Sequence, residues 1–153
     1  MIMELTVLSA AFTMGAAIPQ KYCCTTISPP LAWSQVPPGT KSITVICDDP
    51  DAPSGDWVHW VLFNLPPETT QLAAGQPPGE SLPNGAVQGV NDYDLNGYNG
   101  PCPPPGKSHR YFFKVFALDT RLDLAATATK ADIVEAMRGH ILAQGHLMGT
   151  FRR

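Results

Sequence analysis

The chain has 153 residues, of which 44% are hydrophobic and only 15% are charged. This length fits one domain, so residues 1–153 are assigned to a single domain that can bury a full core. The net charge of −3 argues against nucleic acid as a partner, because phosphate backbones are bound by clustered Lys and Arg. The 16 prolines and 13 glycines, with few charges, favour a mainly β domain over a helical bundle.

The first predicted element lies in residues 5–17, which are apolar and rich in small side chains. A secretory signal has a similar apolar core, but here Glu4 precedes the segment and no Lys or Arg does, so the basic n-region is missing. We therefore predict the first strands of the domain and a cytoplasmic location. No apolar run reaches the roughly 18 residues of a membrane span, and no basic amphipathic helix is present, so stable membrane insertion is not expected.

Three later segments have the pattern of buried strands. Residues 43–47 are short and β-branched, and they are bounded by a Gly-Thr-Lys turn and by Asp-Asp-Pro. Residues 57–65 end at two prolines. Residues 110–118 are apolar on both faces except for Lys114, which predicts a strand in the centre of a sandwich. Residues 75–99 lack a helical period and are predicted to form a long loop.

One helix is predicted late in the chain. Thr129 can be its N-cap, and Asp132 completes a capping box. The apolar residues that follow recur at helical spacing: Ile133, Val134, Met137 and Ile141. Gly145 is the predicted end of the helix. Lys130, with other charged residues, is expected on an ordinary solvent-exposed face.

The four cysteines are Cys23, Cys24, Cys47 and Cys102. Their spacing fits no zinc pattern, because the sequence has no CxxC pair. We therefore predict no metal and no cofactor. Reduced thiols are favoured by the predicted cytoplasmic location. The alternative is a bond from the Cys23-Cys24 loop to Cys102 or to another chain.

Two polar clusters lie beside the predicted strands. The first is DPDAP at residues 49–53, with His59 six residues later, and the second is GPCPP at residues 100–104, which leads to HRY at residues 109–111. Prolines stiffen both loops. Two carboxylates, two imidazoles and a rigid loop at one place would form a small polar pocket for an anion. The alternative is structural: Asp-Pro turns commonly cap their own backbone, and a histidine in an apolar strand is commonly a core residue.

In this order, DPDAP, WVHW, GPCPP and HRY resemble the phosphatidylethanolamine-binding protein family, also described as Raf kinase inhibitor-like, and especially its compact bacterial and archaeal branch. The resemblance covers nearly the whole chain. It implies two antiparallel sheets packed as a sandwich, with a helix near the C-terminus. It also implies a homodimer, because members of the compact branch often form one.

The resemblance implies that Asp49, His59 and His109 line a ligand pocket, with Gly100 and Pro101 in one wall. The remaining ligand-binding candidates are Trp57, Tyr111, Asp51 and Cys102. For Asp51 a structural role is favoured, and Arg110 is expected to form an ion pair with one of the two aspartates.

The favoured function is non-enzymatic binding of a small anion or phosphorylated headgroup, such as phosphate or phosphoethanolamine. Its affinity for phosphate is expected to rise as pH falls through about 6.5, the ordinary pKa of histidine. The resemblance implies an alternative, a protein-interaction regulator of the kinase-inhibitor type whose pocket gates a partner surface. A less favoured third function is a hydrolase, with a metal held by the Asp and His side chains or with Cys102 as nucleophile. No catalytic residue is assigned.

Overall fold

The computed structural model describes all residues from 1 to 153. Nine strands, one short 3-10 helix (Gln20–Tyr22) and one α-helix, α1 (Lys130–Met137), make up the chain. The strands are β1 (Met3–Glu4), β2 (Thr6–Leu8), β3 (Leu31–Ser34), β4 (Ser42–Asp49), β5 (Trp57–Leu65), β6 (Gln71–Leu72), β7 (Val87–Gln88), β8 (His109–Leu118) and β9 (Ile141–Phe151). The predicted mainly β fold with a late helix is confirmed.

The strands form two sheets that pack face to face. The larger sheet has the order β1-β9-β8-β4-β5-β7, and the smaller sheet has the order β2-β3-β6. All pairs are antiparallel except β1 with β9, which is parallel. The main core lies between the sheets, where Trp33 of the smaller sheet belongs to the same buried cluster as Trp60 and Phe113 of the larger one.

Strands β4 and β5 are buried on both faces, which explains their lack of alternation, whereas the outer face of β8 is only partly covered. One face of β4 and β5 meets the smaller sheet, and the other meets α1. A second buried cluster joins Ile46 and Phe63 on that outer face to Ile133 and Met137 of the helix. Strand β8 lies between β4 and β9, so its predicted central position is confirmed.

The helix begins as predicted but ends early. Thr129 and Asp132 form the capping box. However, α1 ends at Met137, and the prediction that it extends to Gly145 is wrong. Gly139 has a φ of +81°, a left-handed conformation that ends a helix. Ile141 then opens β9, because pairing with β8 along its whole length satisfies more backbone groups than a further turn of helix.

The N-terminal segment runs beside the outer edge of β9. Leu5 N donates to Gln144 O at 2.9 Å, Gly15 N to Met148 O at 2.7 Å, and Ile18 N to Thr150 O at 2.8 Å. The predicted early strand is therefore part of the sandwich. No helix combines the length and the apolarity needed to cross a membrane.

Candidate functional site

Three strand ends meet at one edge of the larger sheet. Asp49 is the last residue of β4, and it pairs with Trp57, the first residue of β5. His109 is the first residue of β8, on the other side of β4. Because neighbouring strands are antiparallel, the end of β4 lies between the beginnings of β5 and β8. This topology brings together side chains that are 60 residues apart in sequence.

A buried carboxylate–imidazole pair lies at the centre of this edge. Asp49 Oδ2 is 2.7 Å from Nδ1 of His109, and the two residues are only 3% and 6% exposed. The other carboxylate oxygen, Oδ1, accepts a bond from Asp51 N at 2.7 Å. Asp49 therefore caps its own loop, which is the structural alternative, and at the same time orients His109.

His59 is the second buried imidazole. Its Nδ1 is 2.6 Å from Asn99 O. A carbonyl oxygen can only accept, so Nδ1 carries the proton and Nε2 holds the lone pair of the neutral ring. Burial lowers the pKa of His59 below its usual value, against the opposing effects of the Asn99 carbonyl and the Asp49 carboxylate. The protonation expected near pH 6.5 is therefore moved to lower pH.

Aromatic rings form much of the pocket wall. Tyr111 lies edge-on to His59, with ring centroids 5.3 Å apart, and it stacks with His109 at 6.4 Å. Tyr93 contacts His59 at 5.7 Å and Trp57 at 5.5 Å. Burial raises the pKa of Tyr111, so its phenol stays neutral.

Together these groups enclose a pocket of about 160 Å³. Among the predicted residues, those that line it are Asp49, Trp57, His59, Cys102, His109 and Tyr111. The lining residues that the predictions omitted are Ala52, Pro53, Ser54, Tyr93, Pro103 and Pro104. Ala52 and Pro53 belong to DPDAP, Ser54 follows it, and Pro103 and Pro104 belong to GPCPP, so the two motifs already pointed to these five residues. Tyr93 had no such signal.

Asp51 does not line the pocket. Its carboxylate accepts from the Arg110 guanidinium twice, Nε to Oδ2 and Nη2 to Oδ1, each at 2.9 Å, and Arg110 N also donates to Oδ2 at 2.9 Å. Arg110 is the ion-pair partner that the sequence suggested. The hydrogen bonds from Arg110 hold the pKa of Asp51 at about 2.

We expect Arg110→Ala to raise the pKa of Asp51 toward its ordinary value of about 3.9, because the side-chain hydrogen bonds that favour the ionised form are lost. Carboxyl chemical shifts followed by NMR during an acid titration measure this change. Arg138→Ala is the control, since Arg138 pairs with Glu135 on the helix and has no contact with Asp51. An Asp51 midpoint that stays at about 2 in Arg110→Ala would contradict the assigned cause.

Gly100 and Pro101 lie behind the pocket wall rather than in it, which corrects their predicted position. Gly100 N donates to Thr25 O at 2.8 Å, and Pro101 O accepts from Cys24 N at 2.9 Å. A Cβ on Gly100 would overlap the carbonyl oxygen of Tyr22. The glycine is therefore needed for close approach of two protein segments, not of a ligand. The next residues, from Cys102 to Pro104, form the wall.

A disulfide joins Cys24 to Cys102, so the prediction of reduced thiols is wrong for this pair. The reason is the backbone pairing just described, which places the two Cα atoms 4.8 Å apart, within the usual range for a disulfide. Cys23 and Cys47 are free and buried. With its sulfur in the disulfide, Cys102 has no thiol to act as the nucleophile of the hydrolase hypothesis.

A second charged cluster is centred on Asp48, the residue before Asp49. Asp48 is buried, and its Oδ2 accepts from Lys130 Nζ at 2.6 Å and from Lys114 Nζ at 3.0 Å. Lys130 also reaches Asp56, immediately before β5, at 2.6 Å. Lys130 is therefore not a simple solvent-facing residue as predicted, since it ties α1 to the strand ends that carry Asp49 and Trp57.

Comparison with known proteins decides the family. The family model described as "Phosphatidylethanolamine-binding protein" matches residues 8–152. The chain belongs to the phosphatidylethanolamine-binding protein family. The resemblance drawn from DPDAP, GPCPP and HRY is thereby confirmed.

Individual relatives align with nearly the full length of the chain. A UPF0098 protein of Methanothermobacter thermautotrophicus is 53% identical over 145 residues, covering 94% of this chain and 95% of the relative. The crystal structure of a putative phosphatidylethanolamine-binding protein homologue, CT736 of Chlamydia trachomatis, is similar with a TM-score of 0.89 and 42% identity, over 98% of each chain. Escherichia coli YbcL is similar with a TM-score of 0.90 and 33% identity, over 98% of this chain and 99% of YbcL.

Proposed function

We propose that this phosphatidylethanolamine-binding protein family member binds one small anion or phosphorylated headgroup and performs no reaction on it. The observation that carries the proposal is the pair of buried imidazoles, His59 and His109, on one pocket of about 160 Å³. Pockets for drug-sized ligands occupy about 300–1,000 Å³, whereas a cavity of about 150 Å³ holds a single benzene ring. The size suits phosphate or a phosphoethanolamine-like group and is too small for an acyl chain.

The charge of the lining makes binding depend on protonation. No Lys or Arg lines the pocket. The Asp49 carboxylate has one oxygen bonded to Asp51 N and the other paired with His109, so its charge is partly compensated inside the protein. The positive charge that attracts an anion must therefore come from an imidazolium. Once bound, the anion stabilises that imidazolium, which couples anion binding to proton uptake.

We expect the affinity for sulfate to rise as pH falls below the ordinary histidine value of about 6.5, by up to about tenfold per pH unit until His59 is protonated. The sign follows from the lowered pKa of His59: the free site is neutral near pH 7, and its charged, anion-binding form accumulates only on acidification. Sulfate is the probe because its charge stays constant over this range, whereas phosphate esters titrate near pH 6. Two-dimensional NMR of the histidine side chains gives both the affinity and the site.

The matched variants are His59→Gln and His140→Gln. The first removes the pocket imidazole and is expected to flatten the pH dependence. The second removes an exposed histidine that pairs with Asp119, far from the pocket in the fold. It is expected to leave the pH dependence of sulfate binding unchanged. Sulfate affinity that is constant from about pH 5 to about pH 8, or imidazole signals of His59 and His109 that do not move on saturation, would count against the proposal.

A further inference from the structure

The Cys24–Cys102 disulfide is part of the pocket wall. Cys102 lines the pocket beside Pro103 and Pro104, and both bonded cysteines are exposed to solvent. A reagent in solution can therefore reach this bond without unfolding the protein. The two other cysteines, Cys23 and Cys47, are buried and free.

The disulfide is also the main anchor of the loop that follows it. Upstream, the main chain is fixed by the bonds of Gly100 to Thr25 and of Pro101 to Cys24, at 2.8 and 2.9 Å. Downstream, between Cys102 and the start of β8 at His109, only two long bonds hold the loop, Gly106 N to Arg153 O and Arg153 Nη1 to Pro103 O, each at 3.3 Å. The remaining residues of the loop are mostly exposed. If the disulfide opens, the loop beyond Cys102 is held only by the burial of Pro103 and by the two long bonds.

We propose that the Cys24–Cys102 disulfide is a reversible redox site that controls the pocket. A dithiol reductant cleaves the disulfide, which frees the wall formed by residues 102–104 and weakens anion binding. This inference rests on the proposed anion-binding function. The reduced loop would occupy the position seen in the oxidised protein for only a fraction of the time, and the affinity falls to that fraction of its original value.

The exchange balances as a two-electron transfer. A thiolate of the dithiol attacks one sulfur and breaks the Cys24–Cys102 bond, which gives a mixed disulfide and one free cysteine. The second thiol of the reagent then closes its own ring, so the reagent is oxidised to a cyclic disulfide while both cysteines gain an electron and a proton. A monothiol is expected to be much less effective, because the backbone bonds hold the released cysteine beside the mixed disulfide, where it re-forms the original bond.

Neighbouring Cys23 does not join this exchange. Burial raises its pKa to about 12, and its Sγ lies within hydrogen-bond distance of Pro19 O at 3.6 Å. The reactive species in exchange is the thiolate, so this thiol stays inert at neutral pH. The redox chemistry is thereby confined to the pair at the pocket.

The test compares phosphate binding by the oxidised protein and by the protein reduced with dithiothreitol, at one fixed pH. We expect reduction to weaken phosphate binding about threefold to tenfold, the effect of losing the pre-ordering of one wall. Amide hydrogen exchange at Gly106, whose N–H is bonded to Arg153 O, is measured on the same samples and is expected to accelerate on reduction, while exchange in β4, β5 and β8 stays slow. Re-oxidation should restore both values.

Cys24→Ser is the informative variant, because it removes the covalent tie and leaves Cys102 in the pocket wall. It is expected to bind phosphate as weakly as the reduced protein and to be insensitive to dithiothreitol. If this variant fails to fold, oxidised and reduced wild type are compared at a temperature at which slow exchange in β4, β5 and β8 shows that the reduced protein is still folded. Equal phosphate affinity in the two redox states, or alkylation of Cys24 and Cys102 in the non-reduced protein, overturns the redox site.

The two proposals fail in distinguishable ways. If phosphate binds to neither form, the anion-binding function is wrong. Whether the disulfide controls the wall is then decided by hydrogen exchange: faster exchange at Gly106 on reduction, with exchange in β4, β5 and β8 still slow, supports it, and unchanged exchange at Gly106 overturns it.

Discussion

Replacing Cys24 and Cys102 together by serine is expected to lower the free energy of unfolding by about 3 to 4.5 kcal/mol. The bond joins residues 78 positions apart, and a cross-link over so long a loop removes much of the conformational freedom of the unfolded chain. The native contacts of the two side chains contribute little, since both are exposed. The loss should lower the melting temperature by roughly 10 °C for a domain of this size.

Urea titration of wild type and variant measures this change. The Cys24→Ser variant should lose as much stability as the double variant, because either change removes the same cross-link. Wild type in dithiothreitol should also match them. Coincident unfolding midpoints for the oxidised and the reduced wild type would show that the bond does not restrict the unfolded chain.

Gly145→Ala is expected to destabilise the fold by about 3 kcal/mol. Gly145 lies in β9, where an added Cβ would overlap the carbonyl oxygen of Leu5. The added Cβ is fixed to the main chain of β9 and meets the main chain at Leu5, so the overlap cannot be relieved by rotation of a flexible side chain. The adjacent bond from Leu5 N to Gln144 O ties the same two segments together and would be strained by any shift.

Gly139→Ala is the matched control for this change. Gly139 has a left-handed φ of +81° but has open space around it, so only the backbone strain of about 1 kcal/mol is expected. Equilibrium denaturation of both variants separates the two costs. Equal destabilisation by the two substitutions would mean that the N-terminal segment can move away from β9 without loss.

The parts of the fold that were predicted correctly are those with local causes. β-branched and apolar runs bounded by turn residues located β4, β5 and β8, and the Thr129–Asp132 spacing located the start of α1. Strand β9 was missed because its first residue, Ile141, continues the helical spacing of α1. Only pairing with β8, a contact between distant parts of the chain, makes this segment a strand.

The same distinction applies to the candidate site. Asp49, His59 and His109 were predicted because each lies in a motif at a strand end. Tyr93 was missed because it reaches the pocket from a turn whose sequence carries no such signal; that turn is held by Asn91 Oδ1, which accepts from Tyr93 N at 2.9 Å. The disulfide was not favoured because the pairing of residues 24–25 with residues 100–101 depends on tertiary structure, which the spacing of cysteines does not show.

The packing of residues 5–18 against β9 has a consequence for the order of folding during synthesis. The backbone partners of Leu5 and Ile18 are Gln144 and Thr150, so these contacts span almost the whole chain. At a translation rate of about 5–20 residues per second, the N-terminal segment waits roughly ten seconds on the ribosome before β9 is made. During this interval Leu5, Phe12 and Ile18 have no β9 to cover them. The edge of β8 that pairs with β9 stays open for a shorter time, because only α1 and its flanking loops separate Leu118 from Ile141.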